Sequence, residues 1–400
     1  MLKLSFFLLI NSDNEYNKDK VINMHNMKDL NLNNKKVIVR VDYNVPMKDG
    51  VVVDNNRIVS SLETINYLIS ENAKIILMSH MGKIKTEEDK ANNTLLPVKS
   101  ELERLLNKEV KFCGELKGET LEKEVNDLLP GEILLLENTR YMDYPEKLES
   151  GCDEELSKYW ASLADAFILD AFGSCHRAHA STYGMAKYLP HAVGFLVEKE
   201  VKELDKIKNE KKTLILGGAK VSDKIGVIKN LLPTSEKVLI GGAMCATFLE
   251  AKGVDTGKTF VDMDYLLEAR DLINTGKIIL PIDVVTESGV KSLERINENE
   301  SILDLGPETI DLYKQNINPD YMVLLNGTLG KYEEEKYEDA TKEMFEFLKD
   351  NNFKVVVCGG DGASAAKKYN FTPYYLSTGG GASLEYLEGK ELPALKIMED

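Results

Sequence analysis

Short runs of apolar, often β-branched residues alternate with longer stretches that carry apolar residues at helical spacing, from near Lys35 to the C-terminus. This alternation is typical of βαβ units built around a parallel sheet. It occurs twice along the chain. The apolar runs are KVIVRVDYN, KIILMSHMG, EILLLENTR and AFILDAFGSCHR in the first half, and TLILGGAK, KVLIGGAM, YMVLLNGT, KVVVCGGDG and YYLSTGG in the second. We therefore predict an α/β fold of two doubly wound parallel-sheet, Rossmann-like lobes.

One long hinge helix is predicted between the lobes. The segment VGFLVEKEVKELDKIKNEKK has apolar residues at helical spacing, with no proline and no glycine after Gly194. The predicted boundaries are an extension at 1–26, an N-terminal lobe at 27–192, the hinge helix at 193–212, a C-terminal lobe at 213–385 and a tail at 386–400.

Composition excludes several classes of protein. A chain of 400 residues is long enough for two domains. Its net charge of −16 disfavours nucleic acid as a partner, and no apolar run reaches the length of a membrane span. The five cysteines are scattered without metal spacing, which favours a reduced, cytoplasmic setting.

The first residues, MLKLSFFLLI, resemble the start of a signal peptide. The apolar stretch is short, only Lys3 precedes it, and no small-residue cleavage site follows. A disordered tail, or initiation at Met24 or Met27, fits the sequence better than secretion.

An anion site is predicted in the first half. Arginine occurs only seven times, yet Arg57, Arg140 and Arg177 lie at or near predicted strand ends, where ligands of parallel sheets collect. The guanidinium fork matches phosphate and carboxylate oxygens. His80 ends another predicted strand, and Asp42 and Asn44 add short side chains suited to hydroxyl recognition. A small phosphorylated hydroxy acid would fit, although each arginine alone could close a loop or pair with a buried carboxylate.

Two neighbouring residues have a different interpretation. Arg40 lies inside a predicted strand and is expected to be structural. The HRAH sequence places His176 and His179 three residues apart, but no acidic or second cysteine ligand is nearby in sequence, so histidines beside an anion pocket explain it better than a metal site.

A phosphate site is predicted in the second half. Glycine pairs follow four of its strands, and such turns let backbone amides approach phosphates. The pair Gly241-Gly242 could equally serve as a tight turn alone. Lys220 and Lys224 are expected on one face of the first turns of a helix, and Asp361 is expected to bind Mg²⁺.

Two further motifs in this half are weaker. GVDTGKT is one residue short of a P-loop, because Lys252 stands where the first glycine is required. Gly360, Gly362 and Ala365 form GxGxxA after a strand, which leaves a NAD-binding Rossmann oxidoreductase as an alternative.

Taken together, the motifs RVDYNVP, SHMG, LLENTR, DAFGSCHRAHAS, LGGAKVSDKI, CGGD and STGGGASLEYLEGKELP resemble the phosphoglycerate kinase family, in order, from about Met27 to the C-terminus. The resemblance implies a monomer that binds 3-phosphoglycerate on the first lobe and MgATP or MgADP on the second, with the tail returning to the first lobe. It also implies that lobe closure completes the site.

The resemblance assigns roles to individual residues. It implies an acid site of Asp42, Asn44, Arg57, His80, Lys83, Arg140 and Arg177. It implies a nucleotide site of Gly218, Ala219, Lys220, Lys224, Leu303, Asn326, Glu333, Gly359, Gly360, Asp361 (also the Mg²⁺ ligand) and Gly362. We hypothesise that Arg57, Lys220, Mg²⁺ and the backbone amides of the Gly379 to Gly381 helix start, chiefly those of Gly380 and Gly381, stabilise the transferring phosphoryl group.

This sequence departs from the family pattern at a few positions. Lys83 stands where arginine is common, Gly362 where a hydroxyl residue is usual, Thr328 where proline is usual, Tyr332 where phenylalanine is usual and Ile302 where glycine is common. A catalytically silent homologue acting as a binding protein is therefore a further alternative.

Overall fold

The computed structural model describes residues 24–399, and the first of its two lobes is built on a six-stranded parallel sheet. The strands of this lobe are β1 (Lys36–Val41), β2 (Met47–Lys48), β3 (Val51–Val52), β4 (Lys74–Met78), β5 (Lys111–Cys113), β6 (Ile133–Leu136), β7 (Ala166–Asp170) and β8 (His191–Val193). The sheet order is β5-β6-β4-β1-β7-β8, and β2 and β3 form a separate hairpin. Its α-helices are Asn56–Ser70, Glu87–Asn92, Leu96–Leu106, Glu119–Asn126 and Glu154–Ser162.

The second lobe repeats this architecture. Its strands are β9 (Lys212–Leu216), β10 (Ser235–Ile240), β11 (Ile278–Ile279), β12 (Asp283–Thr286), β13 (Gly289–Ser292), β14 (Asp304–Leu305), β15 (Met322–Asn326), β16 (Val355–Cys358) and β17 (Tyr375–Leu376). The parallel sheet has the order β11-β10-β9-β15-β16-β17, while β13-β12-β14 form a small antiparallel sheet. Its α-helices are Ile225–Leu231, Cys245–Ala251, Leu266–Ile273, Pro307–Gln315, Asp339–Asp350, Gly360–Lys368, Gly381–Leu387 and Pro393–Lys396.

The central strands are apolar along almost their whole length because helices cover both faces of each sheet. Every residue of β6 and of β16 is buried. In the first lobe β1 is central, and its Val39 pairs with Leu77 of β4 and Ile168 of β7. The α/β fold with two parallel-sheet lobes is as predicted. The short strands β5, β8 and β11 and the antiparallel sheet were not predicted, because runs of two to four residues carry little periodic signal.

The connecting helix runs over Phe195–Asn209, shorter at both ends than the predicted 193–212. Val193 belongs to β8, and Gly194 takes an extended conformation before the helix. At the other end Glu210 is extended and Lys212 begins β9. Residues at both ends therefore belong to the two sheets rather than to the helix.

The predicted extension at 1–26 lies outside the described residues except for 24–26. These three residues contact the folded body: Val193 N donates to His25 O at 3.0 Å, and His25 N donates to Met398 O at 3.2 Å. Met27 and Leu32 are fully buried or nearly so. The packed chain thus begins before Lys35, where the alternating pattern starts.

The end of the chain packs against the N-terminal lobe. Ala394 N donates to Cys175 O at 3.1 Å, and the ring centroids of Tyr386 and Phe172 are 6.0 Å apart. Every helix within residues 24–399 is too short or too polar to cross a membrane.

Asp170, the last residue of β7, caps the connecting helix. Its Oδ1 accepts from Leu196 N at 3.0 Å and from Val197 N at 3.4 Å, and the side chain is fully buried. Burial raises the pKa of this carboxyl to about 7. The folded state therefore holds the proton more tightly than the unfolded state, and this group's contribution to stability falls as pH rises from about 4 to 7.

Asp170→Asn is expected to make the protein more stable at pH 8, by on the order of 1–3 kcal/mol, since one pKa unit corresponds to about 1.4 kcal/mol. Asparagine retains the Oδ1 acceptor but cannot ionise. Urea denaturation at pH 5 and pH 8 measures the effect, which should be small at pH 5. Asp165→Asn, at an exposed aspartate that accepts from Lys36 N at 2.9 Å, serves as the control. Equal changes at the two pH values would contradict the prediction.

Candidate functional site

A cavity of about 330 Å³ lies where the carboxyl ends of the first lobe's strands meet. The structure brings together all seven residues predicted for the acid site, namely Asp42, Asn44, Arg57, His80, Lys83, Arg140 and Arg177. The remaining lining residues are Gly82, Gly173, Ser174, His176, His179, Gly379, Gly380 and Gly381. Side chains from the segments that follow β1, β4, β6 and β7 converge here because parallel strands all end at the same edge of a sheet.

Arg57 is held at the cavity wall by Asp42. Its Nη1 donates to Asp42 Oδ2 at 2.9 Å, and the side chain stays about one-third exposed. Asn44 is fixed separately, because its Oδ1 accepts from Gly82 N at 3.0 Å. These contacts hold the guanidinium in place while part of it still faces the cavity.

The other cations are only partly neutralised. Arg140 is mostly buried, its Nη1 donates to Asp143 Oδ2 at 3.3 Å, and its Nε has no hydrogen-bond partner within the described chain. Lys83 and Arg177 are exposed, and residues 24–399 include no ion-pair partner for either. An unsatisfied buried guanidinium nitrogen beside two unpaired cations creates a site that favours an anion.

Burial favours the neutral form of the histidines that line the cavity. Burial, with nearby arginines, lowers the pKa of His80 well below its usual range and that of His179 to about 3. His80 Nδ1 lies 3.1 Å from Arg40 Nη2, which can only donate. Nδ1 must therefore accept, which leaves the proton on Nε2 as a donor. The positive charge of the cavity comes from arginine and lysine.

A buried charged network lies behind the cavity. Arg40 is fully buried, and its Nε donates to Ser181 Oγ at 2.8 Å. The Ser181 hydroxyl in turn donates to Glu149, which is also fully buried. The structural role predicted for Arg40 agrees with this geometry. Glu149 was missed, since nothing in its local sequence distinguishes it from a surface glutamate.

The glycines that follow β17 come from the second lobe but line this cavity of the first. A Cβ at Gly173 would lie 3.6 Å from Gly379 O, so the two lobes are in contact here. Gly380 has φ +55°, and at both Gly380 and Gly381 a Cβ would meet no heavy atom within 4 Å. The tri-glycine turn therefore leaves room beside Gly380 and Gly381 for a ligand to approach the backbone.

Glu200 of the connecting helix holds this turn in place. Its carboxylate accepts from Thr378 N at 2.6 Å and from Ser377 Oγ at 2.8 Å, and it is fully buried. Sequence reasoning missed this residue. The available signal was a charged residue on the apolar face of a helix, between Val197 and Leu204.

The second set of predicted residues lies at the carboxyl ends of the other sheet. Asn326, the last residue of β15, is fully buried, its Nδ2 donates to Cys358 O at 2.9 Å, and its Oδ1 accepts from Lys224 Nζ. Gly359 follows β16 with φ +86°, and a Cβ there would lie 3.1 Å from Asn326 Nδ2. The backbone at Gly359 therefore packs closely against the Asn326 side chain, which in turn holds the Lys224 ammonium in place.

The expected helical placement of the two lysines is wrong. The helix begins at Ile225, with Lys224 in the preceding turn and Lys220 in an irregular loop. Ser222 N instead donates to Asp262 Oδ2 at 3.3 Å, which ties this loop to another segment. Lys220 is exposed, and its Nζ lies 5.9 Å from the centroid of the Phe260 ring.

The remaining nucleotide-site candidates occupy neighbouring loops. Ala219 is exposed next to Gly218, which has φ +125°. Leu303 is half-buried, and its carbonyl accepts a hydrogen bond from Lys331 N at 2.8 Å. Glu333 follows Lys331 by two residues and is exposed.

Two glycine positions have packing explanations. A Cβ at Gly242 would lie 2.5 Å from Gly218 N, and one at Gly241 would lie 2.4 Å from Leu329 Cδ2. This pair therefore allows close backbone packing, as the tight-turn alternative proposed. A Cβ at Gly362 would lie 3.1 Å from Val357 Cγ1. Serine or threonine there would require that valine to move slightly.

The residues near Asp361 fit a magnesium–nucleotide complex. Asp361 is exposed in the first turn of the helix Gly360–Lys368. Burial lowers the pKa of Lys224, and the negative charge of Asp361 partly offsets this by raising it. Across residues 24–399, no cluster of three or more histidine, cysteine or acidic side chains is placed to hold a metal. Mg²⁺ on a nucleotide needs only one or two carboxylates, because phosphate oxygens supply other ligands.

The chain is similar to known phosphoglycerate kinases over most of its length. The family model described as phosphoglycerate kinase matches residues 27–390. The phosphoglycerate kinase of Macrococcus caseolyticus is 47% identical over 388 residues, covering 93% of this chain and 98% of that relative. That of Fusobacterium nucleatum is 48% identical over 391 residues, with the same coverage.

Solved structures agree with these sequence matches. The structure of phosphoglycerate kinase from Coxiella burnetii superposes with a TM-score of 0.82 at 34% identity, covering 94% of this chain and 98% of that one. The enzyme from Pyrococcus horikoshii gives 0.81 at 31% identity, with the same coverage. These comparisons support the kinase interpretation and not the oxidoreductase or silent-homologue alternatives. This chain belongs to the phosphoglycerate kinase family, and it is a glycolytic kinase that uses ATP or ADP as co-substrate.

Proposed function

We propose that this chain catalyses reversible, Mg²⁺-dependent phosphoryl transfer between the carboxyl group of 3-phosphoglycerate and ATP, forming 1,3-bisphosphoglycerate and ADP. The observation that carries the proposal is the cavity in which seven polar and cationic side chains of one lobe face the tri-glycine turn of the other. A small acid held there would lie beside amides that belong to the second lobe.

The acid is held by its charges and its hydroxyl group. Arg140, Arg177 and Lys83 supply cations for the phosphate, and the neutral His80 supplies an N–H donor. Asp42 and Asn44 suit the hydroxyl. Lys83 replaces a bidentate fork with a point charge, so it contributes attraction with less orientation than arginine would.

The nucleotide is assigned to the carboxyl end of the second sheet. The turns at Gly218 and Gly359 bring backbone amides close to the phosphates, and Lys224 is already oriented by Asn326. Asp361 would hold the Mg²⁺, which supplies charge neutralisation on the phosphates when bound. By family resemblance, Leu303 remains assigned next to adenine and Glu333 to the nucleotide.

The chemistry needs no general base. A carboxylate oxygen of the acid attacks the terminal phosphorus, a new P–O bond forms as the bond to the ADP oxygen breaks, and no proton moves. Positioning and charge neutralisation therefore carry the catalysis. Lys220, Arg57 and the amides of Gly380 and Gly381 are proposed to stabilise the transferring group once the lobes bring both substrates together.

The proposal extends to the cellular form of the protein. We assign it to the cytoplasm as a monomer that binds neither nucleic acid nor membrane. The net charge of −16 disfavours a nucleic-acid partner. Cell fractionation tests the cytoplasmic location, and sedimentation tests the monomeric state. A fraction of the protein bound to RNA or DNA would contradict the absence of a nucleic-acid partner.

A coupled assay tests the activity. Purified protein, 3-phosphoglycerate and MgATP are combined with a dehydrogenase that reduces 1,3-bisphosphoglycerate, and NADH oxidation is followed for the full chain and for a chain that starts at Met27. Turnover that requires all three components is expected. Folded protein that shows no turnover would favour the silent-homologue alternative, and tight NAD binding without a response to MgADP would favour the oxidoreductase.

Phe260→Leu is expected to lower kcat about two- to five-fold, because it removes a ring whose attraction for the Lys220 ammonium is worth about 0.5–1 kcal/mol. Phe260 is 55% exposed, so leucine there should not disturb folding. Phe260→Tyr keeps the ring and should retain kcat. Steady-state rates at saturating substrates provide the readout, and equal rates for the leucine variant and the unaltered enzyme would contradict this role for the ring.

A further inference from the structure

An ion pair between two side chains joins the lobes directly. Neither residue lies on the connecting helix. Lys367 Nζ lies 2.9 Å from Asp54 Oδ2, and the two residues are 313 positions apart. The lysine side chain is 71% exposed and the aspartate 29%. Among the ion pairs described for residues 24–399, this is the pair that connects the N-terminal lobe to the C-terminal lobe.

Each partner lies on or beside a helix that also carries a residue of a proposed substrate site. Asp54 Oδ1 accepts from Asn56 N at 3.0 Å, which fixes the aspartate at the start of the helix Asn56–Ser70. Arg57, on the first turn of that helix, faces the acid cavity. The contact therefore lies three residues from a side chain assigned to the transferring group.

Lys367 has the corresponding position on the other lobe. It lies in the last turn of the helix Gly360–Lys368, and the first turn of that helix carries Asp361. A single nine-residue helix thus connects the proposed magnesium ligand to the interlobe ion pair. Neither Asp54 nor Lys367 lines the acid cavity.

We propose that Asp54 and Lys367 are positioning residues, whose ion pair sets the placement of the two substrate sites relative to each other. The inference rests on the proposed function for its kinetic consequence, whereas its structural consequence does not depend on activity. An exposed ion pair contributes about 0.2–1 kcal/mol. That energy is small for folding, but it can change the ratio of two lobe arrangements by up to about five-fold.

A double-substitution cycle tests the proposal. Asp54→Asn retains the Oδ1 acceptor for Asn56 N and removes the charge, and Lys367→Gln removes the other charge. At low salt each variant is expected to lower kcat by about 1.4- to 5-fold, with KM for either substrate unchanged. The double variant should match the single ones, and Lys367→Arg should restore the rate. At about 1 M salt, where the screening length is roughly 3 Å, the differences should disappear.

Small-angle X-ray scattering of the same variants supplies a readout without catalysis. Loss of the pair is expected to increase the radius of gyration at low salt. Lys99→Gln removes an ion pair of 2.8 Å to Glu103 within one lobe and should change neither quantity.

The two proposals fail in different ways. If the unaltered enzyme is active, an unchanged kcat and radius of gyration in the single variants overturns the positioning role. Additive losses in the double variant also overturn it. If the enzyme has no kinase activity, the proposed function fails, and scattering alone decides the interlobe role: an unchanged radius overturns it and an increased radius supports it.

Discussion

Lys220→Ala is expected to lower kcat by on the order of 10²- to 10³-fold, the usual effect of removing one group that stabilises developing charge in an enzyme transition state. The side chain is exposed, and the contact described for its ammonium is the Phe260 ring at 5.9 Å. The ring orients the ammonium, and no hydrogen bond or ion pair described for residues 24–399 keeps it from the transferring phosphoryl group. In contrast, Lys224 is held by Asn326 and is less able to follow the reaction.

Steady-state kinetics with saturating 3-phosphoglycerate and MgATP measure this effect. Thermal unfolding should show little change, because Lys220 takes no part in the packed core. Lys252→Ala, at an exposed lysine of the same lobe, is the matched control and should leave kcat unchanged. If Lys220→Ala retained more than about a tenth of the normal kcat, the role assigned to this lysine would be wrong.

Arg40→Met is expected to destabilise the protein by about 3–5 kcal/mol, since it removes one partner of a buried charged pair and leaves the other uncompensated. Arg40 and Glu149 are both fully buried and are bridged by the Ser181 hydroxyl. Burial already raises the pKa of Glu149, and the charge of Arg40 opposes that rise. Without the arginine, Glu149 must bind a proton in the folded state.

This linkage determines the pH dependence. In the variant, the folded-state pKa of Glu149 moves further above its unfolded value, so the loss of stability grows as pH increases from about 4.5. Urea denaturation should therefore show a larger deficit at pH 8 than at pH 5.5. Arg104→Met, which removes an exposed ion pair with Glu101, should cost at most about 1 kcal/mol.

A second substitution tests the cause. Adding Glu149→Leu to Arg40→Met removes the uncompensated carboxyl and should recover part of the lost stability. A deficit that stays constant with pH, or that the double variant does not reduce, would mean that lost packing rather than unpaired charge is responsible.

The fold and most of the residues that line the cavity of the first lobe could be predicted from local sequence, whereas Lys83 was included through the family resemblance. Buried parallel strands are nearly uniform apolar runs, and the residues that follow them must meet at one edge of the sheet. That rule places Asp42, His80, Arg140 and Arg177 together without any knowledge of distances. The connecting helix was recognisable by its spacing, but its ends were not, since Val193 and Lys212 belong to strands.

The errors arose where distant segments override local preference. Lys220 and Lys224 fit a helical pattern, yet Ser222 N is bonded to Asp262 and the helix starts later. Glu149 and Glu200 have no distinguishing local pattern apart from the position of Glu200 on an apolar helix face. Both are buried because segments far away in sequence supply their hydrogen bonds.

The sequence by itself thus determined the α/β class, the two lobes and the residue types that follow each strand, because periodicity and strand-end chemistry are local properties. Only the tertiary structure decided that glycines from the second lobe line the cavity of the first, that His80 is a neutral donor and that Asp54 meets Lys367. Each of these depends on contacts between segments far apart in the chain, which are set by how the lobes pack and not by neighbouring residues.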